Sequence, residues 1–245
     1  MGIGDELLAM GQARRYVEQH GCEKVTIMDR NGNRRSHFLW ARCSYIAAPN
    51  EPCEHHVVSG GNARPYVDYV RTTPLRWAWR LDFRPTPAEL PWVKASEQAR
   101  DLILIEPEIK SSASPNKQWG KWQALVDAAP TLPWAQLGRG DSRFLRGVRQ
   151  LVAPTFIEAC AMLRAARCAV LPEGALHHAA AAMDCPAVVL FGAYIPAQVT
   201  GYEQHVNIEV DDPAATGWRI MNERCQAAWK TISPQAILDA LKPWT

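Results

Sequence analysis

The segment Leu171-Pro172-Glu173-Gly174-Ala175-Leu176-His177-His178-Ala179-Ala180 concentrates residue types that can do chemistry. An apolar run ends, small residues form a turn, and an alanine-rich helix begins. Small residues admit a ligand close to the backbone, and free N–H groups at a helix start attract phosphate oxygens. A tight turn that binds nothing would read the same way. His177 and His178 are adjacent, so on a helix they point about 100° apart and at most one is expected to face a ligand. Lys117, in Ser114-Pro115-Asn116-Lys117-Gln118-Trp119, follows the apolar run Leu102–Ile105. Ligands of open α/β sheets bind at the carboxyl ends of strands, so Lys117 and Gly174 are predicted to approach one diphosphate from two sides. Further upstream, Arg71, Arg76, Arg80 and Arg84 interleave with Trp77, Trp79 and Phe83. Such a pattern suits a phosphorylated glycan or a nucleic acid, but it reads more simply as the buried face of a strand with arginines outside. Cys53, His55 and His56 are metal-ligand types, but without a fourth ligand at zinc spacing no metal is expected there.

The elements that must carry these residues alternate along the chain. A first helix is expected over Asp5–His20, with Leu7, Met10, Ala13 and Val17 on one face and Gly21 as its stop. Lys24–Met28 reads as a strand. Seven prolines between Pro49 and Pro91 predict loops and short strands from 36 to 99. Beyond residue 100, Leu102–Ile105, Leu132–Leu137, Gln150–Val152, Cys168–Leu171 and Ala187–Phe191 have strand character. Helices are expected around Trp119–Leu125, after the capping box Thr155-Phe156-Ile157-Glu158, over Leu176–Met183 and from Ser233-Pro234. Strand and helix in alternation predict an α/β fold with a doubly wound, Rossmann-like sheet. The shift in composition near residue 100 divides the chain into 1–99, 100–225 and a terminal helix over 226–245.

Composition narrows the partners. Lys and Arg number 27 and Asp and Glu 25, a net charge of +2, too small to make a case for a nucleic-acid or membrane partner on charge alone. No apolar run reaches membrane-spanning length, and the N-terminus lacks the pattern of a secretory signal. Seven cysteines with no C-x-x-C pair fit reduced thiols, hence a cytoplasmic setting.

Taken together, Cys168-Ala169-Val170-Leu171-Pro172-Glu173-Gly174-Ala175-Leu176-His177-His178-Ala179-Ala180-Ala181 and Pro186-Ala187-Val188-Val189-Leu190-Phe191-Gly192 resemble the C-terminal signature of glycosyltransferase family 9, the ADP-heptose:lipopolysaccharide heptosyltransferases. Asn116-Lys117-Gln118-Trp119 is similar to that family's Lys-x-Trp motif, and Gly2-Ile3-Gly4-Asp5 to its Gly-Asp loop. Ile232-Ser233-Pro234-Gln235 is similar to its closing segment. The resemblance implies a GT-B-like fold of two Rossmann-like domains, with a reduced N-terminal acceptor-side half because Gly2 directly follows Met1. It implies an inverting transfer from a nucleotide-diphosphate sugar, ADP- or UDP-linked, to an acceptor hydroxyl, with no cofactor and no metal. Asp5 would be the general base. Gly4, Lys117, Glu173, Gly174, Ala175, Leu176 and His178 would bind the donor, the N–H groups of Gly174, Ala175 and Leu176 holding its phosphates. Arg76, Trp77, Trp79 and Arg80 are the candidate acceptor contacts. Two other functions remain open at this stage: a glycosyltransferase acting on a nucleic-acid base or another non-glycan acceptor, and a non-catalytic protein that binds a nucleotide or sugar nucleotide.

Overall fold

The computed structural model describes residues 2–60, 90–108, 117–192, 195–212 and 223–245. Arg71, Arg76, Trp77, Trp79, Arg80, Phe83 and Arg84 lie outside them, as does Asn116.

The chain opens with α1 (Ile3–His20), ended by Gly21 in the left-handed region at φ 64°. Short strands β1 (Thr26–Met28) and β2 (His56–Val58) pair in parallel. Then follow α2 (Leu90–Ala99), β3 (Ile103–Ile105), α3 (Trp122–Ala128), β4 (Trp134–Gly138), β5 (Arg149–Val152), α4 (Phe156–Ala165), β6 (Cys168–Pro172), α5 (Ala175–Ala182), β7 (Ala187–Phe191), α6 (Ala197–Thr200), β8 (Val206–Glu209), α7 (Glu223–Thr231) and α8 (Pro234–Leu241). Most expected elements are present with ends shifted by one or two residues. Thr155 caps α4 as the capping box predicts: its hydroxyl accepts from the Glu158 N–H at 3.2 Å, and Glu158 reaches back to the Thr155 N–H at 3.0 Å. Helix α2 corrects the expectation of loops and short strands. Pro91 is its second residue, where a missing N–H costs no helical bond. The expected helix at Trp119 instead begins at Trp122.

Six parallel strands form one sheet in the order β5-β4-β3-β6-β7-β8. Side chains alternate across it. Leu104, Ala169, Leu171, Val189 and Phe191 face one core shared with α1, α2, α4 and α5. Ile103, Ile105, Val170, Val188 and Leu190 face the other, with α3, α7 and α8. Both faces are covered, which is why β3, β6 and β7 are continuous apolar runs. The first core joins Leu7 and Met10 of α1 to Leu171 and Ala179 without a break at residue 100. Chain order reverses between β3 and β6: strands added after β3 go one way, those after β6 the other. In such sheets the crevice opens outside the carboxyl ends of that central pair.

Candidate functional site

Strand β3 runs into Glu106, and the segment after it delivers Lys117. Trp119, two residues on, anchors that segment. It is 1% exposed, its indole N–H donates to the Ile232 carbonyl at 3.1 Å, and it meets Trp122 edge-on with centroids 5.1 Å apart. Lys121 is spent nearby, donating to the Lys230 and Ile232 carbonyls at the end of α7. Lys117 instead turns to the crevice and pairs with Glu173, at the carboxyl end of β6. Both side chains are largely buried. The structure therefore brings Lys117 to the Gly174 turn, on the edge where the strand order reverses.

Helix α5 starts at that turn. Gly174 has an extended backbone, and a methyl group added to it would meet only the Pro172 carbonyl, at 3.9 Å, so neither backbone nor packing requires glycine there. Its N–H and carbonyl both face His177. His177 Nδ1 lies 2.9 Å from the Gly174 nitrogen, and His177 Nε2 lies 3.0 Å from the Thr200 carbonyl. A carbonyl only accepts, so a neutral His177 carrying its proton on Nε2 donates to Thr200 and accepts from Gly174. The other tautomer makes one bond, to the Gly174 carbonyl at 2.7 Å, and loses both of these. Ala175 and Leu176 open the helix with N–H groups that have no intrahelical acceptor.

His178, 3% exposed, has Nδ1 at 2.9 Å from the Tyr202 hydroxyl. Although adjacent on α5, the two imidazoles stay close to one another. Their rings lie 3.9 Å apart, because His177 curls back over the turn. Burial holds both imidazoles below the usual histidine range, His178 further down because His177, Lys117 and His205 stand near it. Both are therefore neutral at pH 7. Glu173, His177 and His178 offer ligand atoms within 4.8 Å of one another, the one such cluster among the described residues. Lys117, Gly174, Thr200 and Tyr202 already engage those three side chains. Cys53, His55 and His56 do not converge: the thiol donates to the Lys24 and His55 carbonyls and both imidazoles are exposed.

The start of α1 reaches the same place. A methyl group on Gly4 would stand 3.3 Å from His178 Cδ2 and 3.6 Å from the Ala175 Cα, so this glycine allows close approach of α1 to α5. That packing accounts for Gly4 without any ligand. Asp5 is the third residue of α1, and its carboxylate accepts from the Gly2 N–H at 3.1 Å. The next residue, Glu6, is buried and accepts two bonds of 2.8 Å from Arg35, which also donates to the Ser59 carbonyl and stacks over Trp40. This network locks the first turn of α1 in place. The starts of α1 and α5 thus meet beside the Lys117–Glu173 pair, and the partial positive charges of the two helix starts suit an anion.

Sequence reasoning did not single out Glu106, Arg35, Thr200 or Tyr202 for the site. Glu106 sits at the end of β3, its backbone N–H bonded to the Val170 carbonyl, and burial pushes its carboxyl up to about 8 against the opposing pull of Arg139. Its place directly after an apolar strand was the available signal.

Comparison with solved structures gives the fold a precedent. The chain is similar to the glycosyl transferase family 9 protein of Veillonella parvula, at 14% identity and TM-score 0.50, covering 68% of this chain and 53% of that one. It is similar to the E. coli ADP-heptose lps heptosyltransferase II, at 18% identity and TM-score 0.50, covering 70% and 54%. It is also similar to the bacterial iron-containing dodecameric glycosyltransferase TibC of enterotoxigenic E. coli, at 15% identity and TM-score 0.62, covering 100% and 74%. The chain thus spans little more than half the length of the first two. No protein-family model and no curated protein matches the sequence. At these identities the likeness establishes the α/β fold that the sequence motifs led one to expect.

Proposed function

We propose that this chain, which shares its fold with those transferases, is a glycosyltransferase of GT-B architecture that transfers a sugar from a nucleotide-diphosphate donor to an acceptor hydroxyl with inversion. The observation that carries the reading is the meeting of Lys117, the start of α5 and the start of α1 at the point where the strand order reverses. Residues 100–225 hold the donor and residues 1–99 carry the acceptor side. A hydroxyl oxygen attacks the anomeric carbon as its bond to the diphosphate breaks, and the acceptor proton passes to the Asp5 carboxylate. The growing negative charge on the diphosphate falls to Lys117 and the N–H groups of Ala175 and Leu176. Glu173 lines the donor site, where it restrains Lys117 until the diphosphate arrives; His178 contacts the donor, and Arg76, Trp77, Trp79 and Arg80 the acceptor. One of the similar structures is described as TibC in complex with ADP-D-beta-D-heptose, which makes ADP-sugars the first donors to try. Lys117 supplies the charge that a metal would, so turnover is expected to survive a chelator. Loss on chelation and recovery with added metal would turn attention to Glu173, His177 and His178.

A second reading is a non-catalytic sugar-nucleotide binder. The bond from the Gly2 N–H to Asp5 favours it, since it uses the carboxylate to cap α1. Asp5→Asn separates the two, because the amide oxygen still accepts from Gly2 but cannot take the proton. A catalytic Asp5 gives intact donor binding with turnover lower by on the order of a hundredfold or more. Unchanged turnover removes Asp5 from the chemistry. Titration with ADP- and UDP-sugars, followed by assay of donor hydrolysis and transfer, tests the whole reading. Absence of binding to any nucleoside diphosphate overturns it.

A further inference from the structure

The segment Thr200–Tyr202 satisfies both buried histidines of α5 at once: the Thr200 carbonyl faces His177 Nε2 and the Tyr202 hydroxyl faces His178 Nδ1. Its position is tightly fixed. Gly201 has no room for a side chain, since an added methyl group would lie 2.6 Å from the Ala197 carbonyl, and Asn207 donates to the Tyr202 carbonyl at 3.0 Å. Tyr202 is fully buried. We infer that Tyr202 is a positioning residue: it holds His178 with its proton on Nε2 and so presents that N–H to an oxygen of the sugar nucleotide bound where α1 meets α5. The identity of the ligand rests on the function proposed above; the tautomer does not.

Tyr202 Oη lies 2.9 Å from His178 Nδ1. A neutral imidazole carries one N–H and one lone pair. Phenol is the stronger donor of the two groups and imidazole nitrogen the stronger acceptor, so the hydroxyl proton points to Nδ1 and the ring proton resides on Nε2. Nδ1 and Cδ2 flank Cγ on opposite sides of the ring. Cδ2 is the atom that meets Gly4, so the edge turned away from Tyr202 faces the start of α1, and Nε2 adjoins it. Among the described residues Nε2 has no hydrogen-bond partner. A neutral donor suits a site that already holds the Lys117 cation, because it adds a hydrogen bond without a second charge. This is the same logic by which a second hydrogen bond fixes the tautomer of metal-bound histidines.

The test is NMR of the protein labelled with 15N-histidine, without ligand, for the wild type and for Tyr202→Phe, which deletes only the hydroxyl. Two-bond proton–nitrogen correlations report the tautomer of His178 directly. The expected result is Nε2–H in the wild type and a substantial Nδ1–H population in Tyr202→Phe. ADP affinity in the variant should fall on the order of threefold to tenfold, the effect of one hydrogen bond. An Nδ1–H tautomer in the wild type overturns the inference even if the variant fails to fold, and so does an unchanged tautomer in a folded variant. A changed tautomer with unchanged ADP affinity overturns the presentation to ligand. A wild type that shows the Nε2–H tautomer but binds no nucleoside diphosphate refutes the proposed function and leaves the role of Tyr202 standing.

Discussion

Lys117→Met is expected to destabilise the fold before it says anything about ligand. Lys117 and Glu173 have side chains 14% and 7% exposed, so solvent screens neither well, and removing one leaves the other charge buried without its partner. Breaking such a pair costs about 3–5 kcal/mol. For a chain of this size that corresponds to a fall in Tm of roughly 6–20 °C. The double variant Lys117→Met/Glu173→Gln removes both charges and should recover most of the loss. Thermal and urea denaturation of the wild type, both single variants and the double variant give the coupling energy directly. A Lys117→Met protein as stable as the wild type, or a double variant no better than Lys117→Met, would refute the buried pair. The same variants bear on binding. In the wild type a diphosphate competes with Glu173 for the ammonium, so Glu173→Gln should bind ADP more tightly than the wild type. Weaker ADP binding by Glu173→Gln would mean the carboxylate holds the nucleotide rather than restraining Lys117.

Gly174→Ala should fold with wild-type stability, since the added methyl group meets nothing nearer than 3.9 Å, while donor affinity falls if a ligand occupies that space; melting curves and calorimetry read both. Acid should unfold the protein through its buried histidines. Burial lowers His205 from 6.5 to about 3, so between those values the unfolded chain takes up a proton that the folded one refuses. Stability is then full above pH 6.5 and declines as pH falls, by up to about 1.4 kcal/mol per pH unit for this residue. A denaturation midpoint in His205→Gln that falls as steeply with acid as in the wild type would refute that origin. Glu106 acts in the opposite sense, because its folded-state value of about 8 exceeds 4.5 and the folded state holds the extra proton between them. Stability is lost there as pH rises, so Glu106→Gln should gain on the wild type at pH 8 and match it at pH 4 in the same measurement.

What the sequence alone determined here is local. The runs Ile103–Ile105, Cys168–Pro172 and Ala187–Phe191 announce strands buried on both faces, and Thr155 with Glu158 and Ser233 with Pro234 announce helix starts. Their alternation implies the α/β class, and the position of Lys117 and Gly174 after apolar strands implies that both lie at carboxyl ends. All of this rests on interactions within three or four residues or on the period of two along a strand. Helix α2 escaped because Pro91 signals a break unless its place in the first turn is known. β8 escaped because Val-Asn-Ile-Glu at a sheet edge is too short and too polar to stand out. Tertiary structure decided the strand order, and with it which carboxyl ends adjoin. It decided that Lys117 meets Glu173, that His177 curls back onto the backbone of Gly174, and that Gly4 packs on His178. It also placed Tyr202 against His178 from 24 residues away. These contacts join segments distant in sequence, and their partners are chosen by how the two cores pack against the sheet. No local pattern encodes that choice, because each residue involved has a satisfactory role in isolation: a solvated lysine, a turn glycine, a core tyrosine.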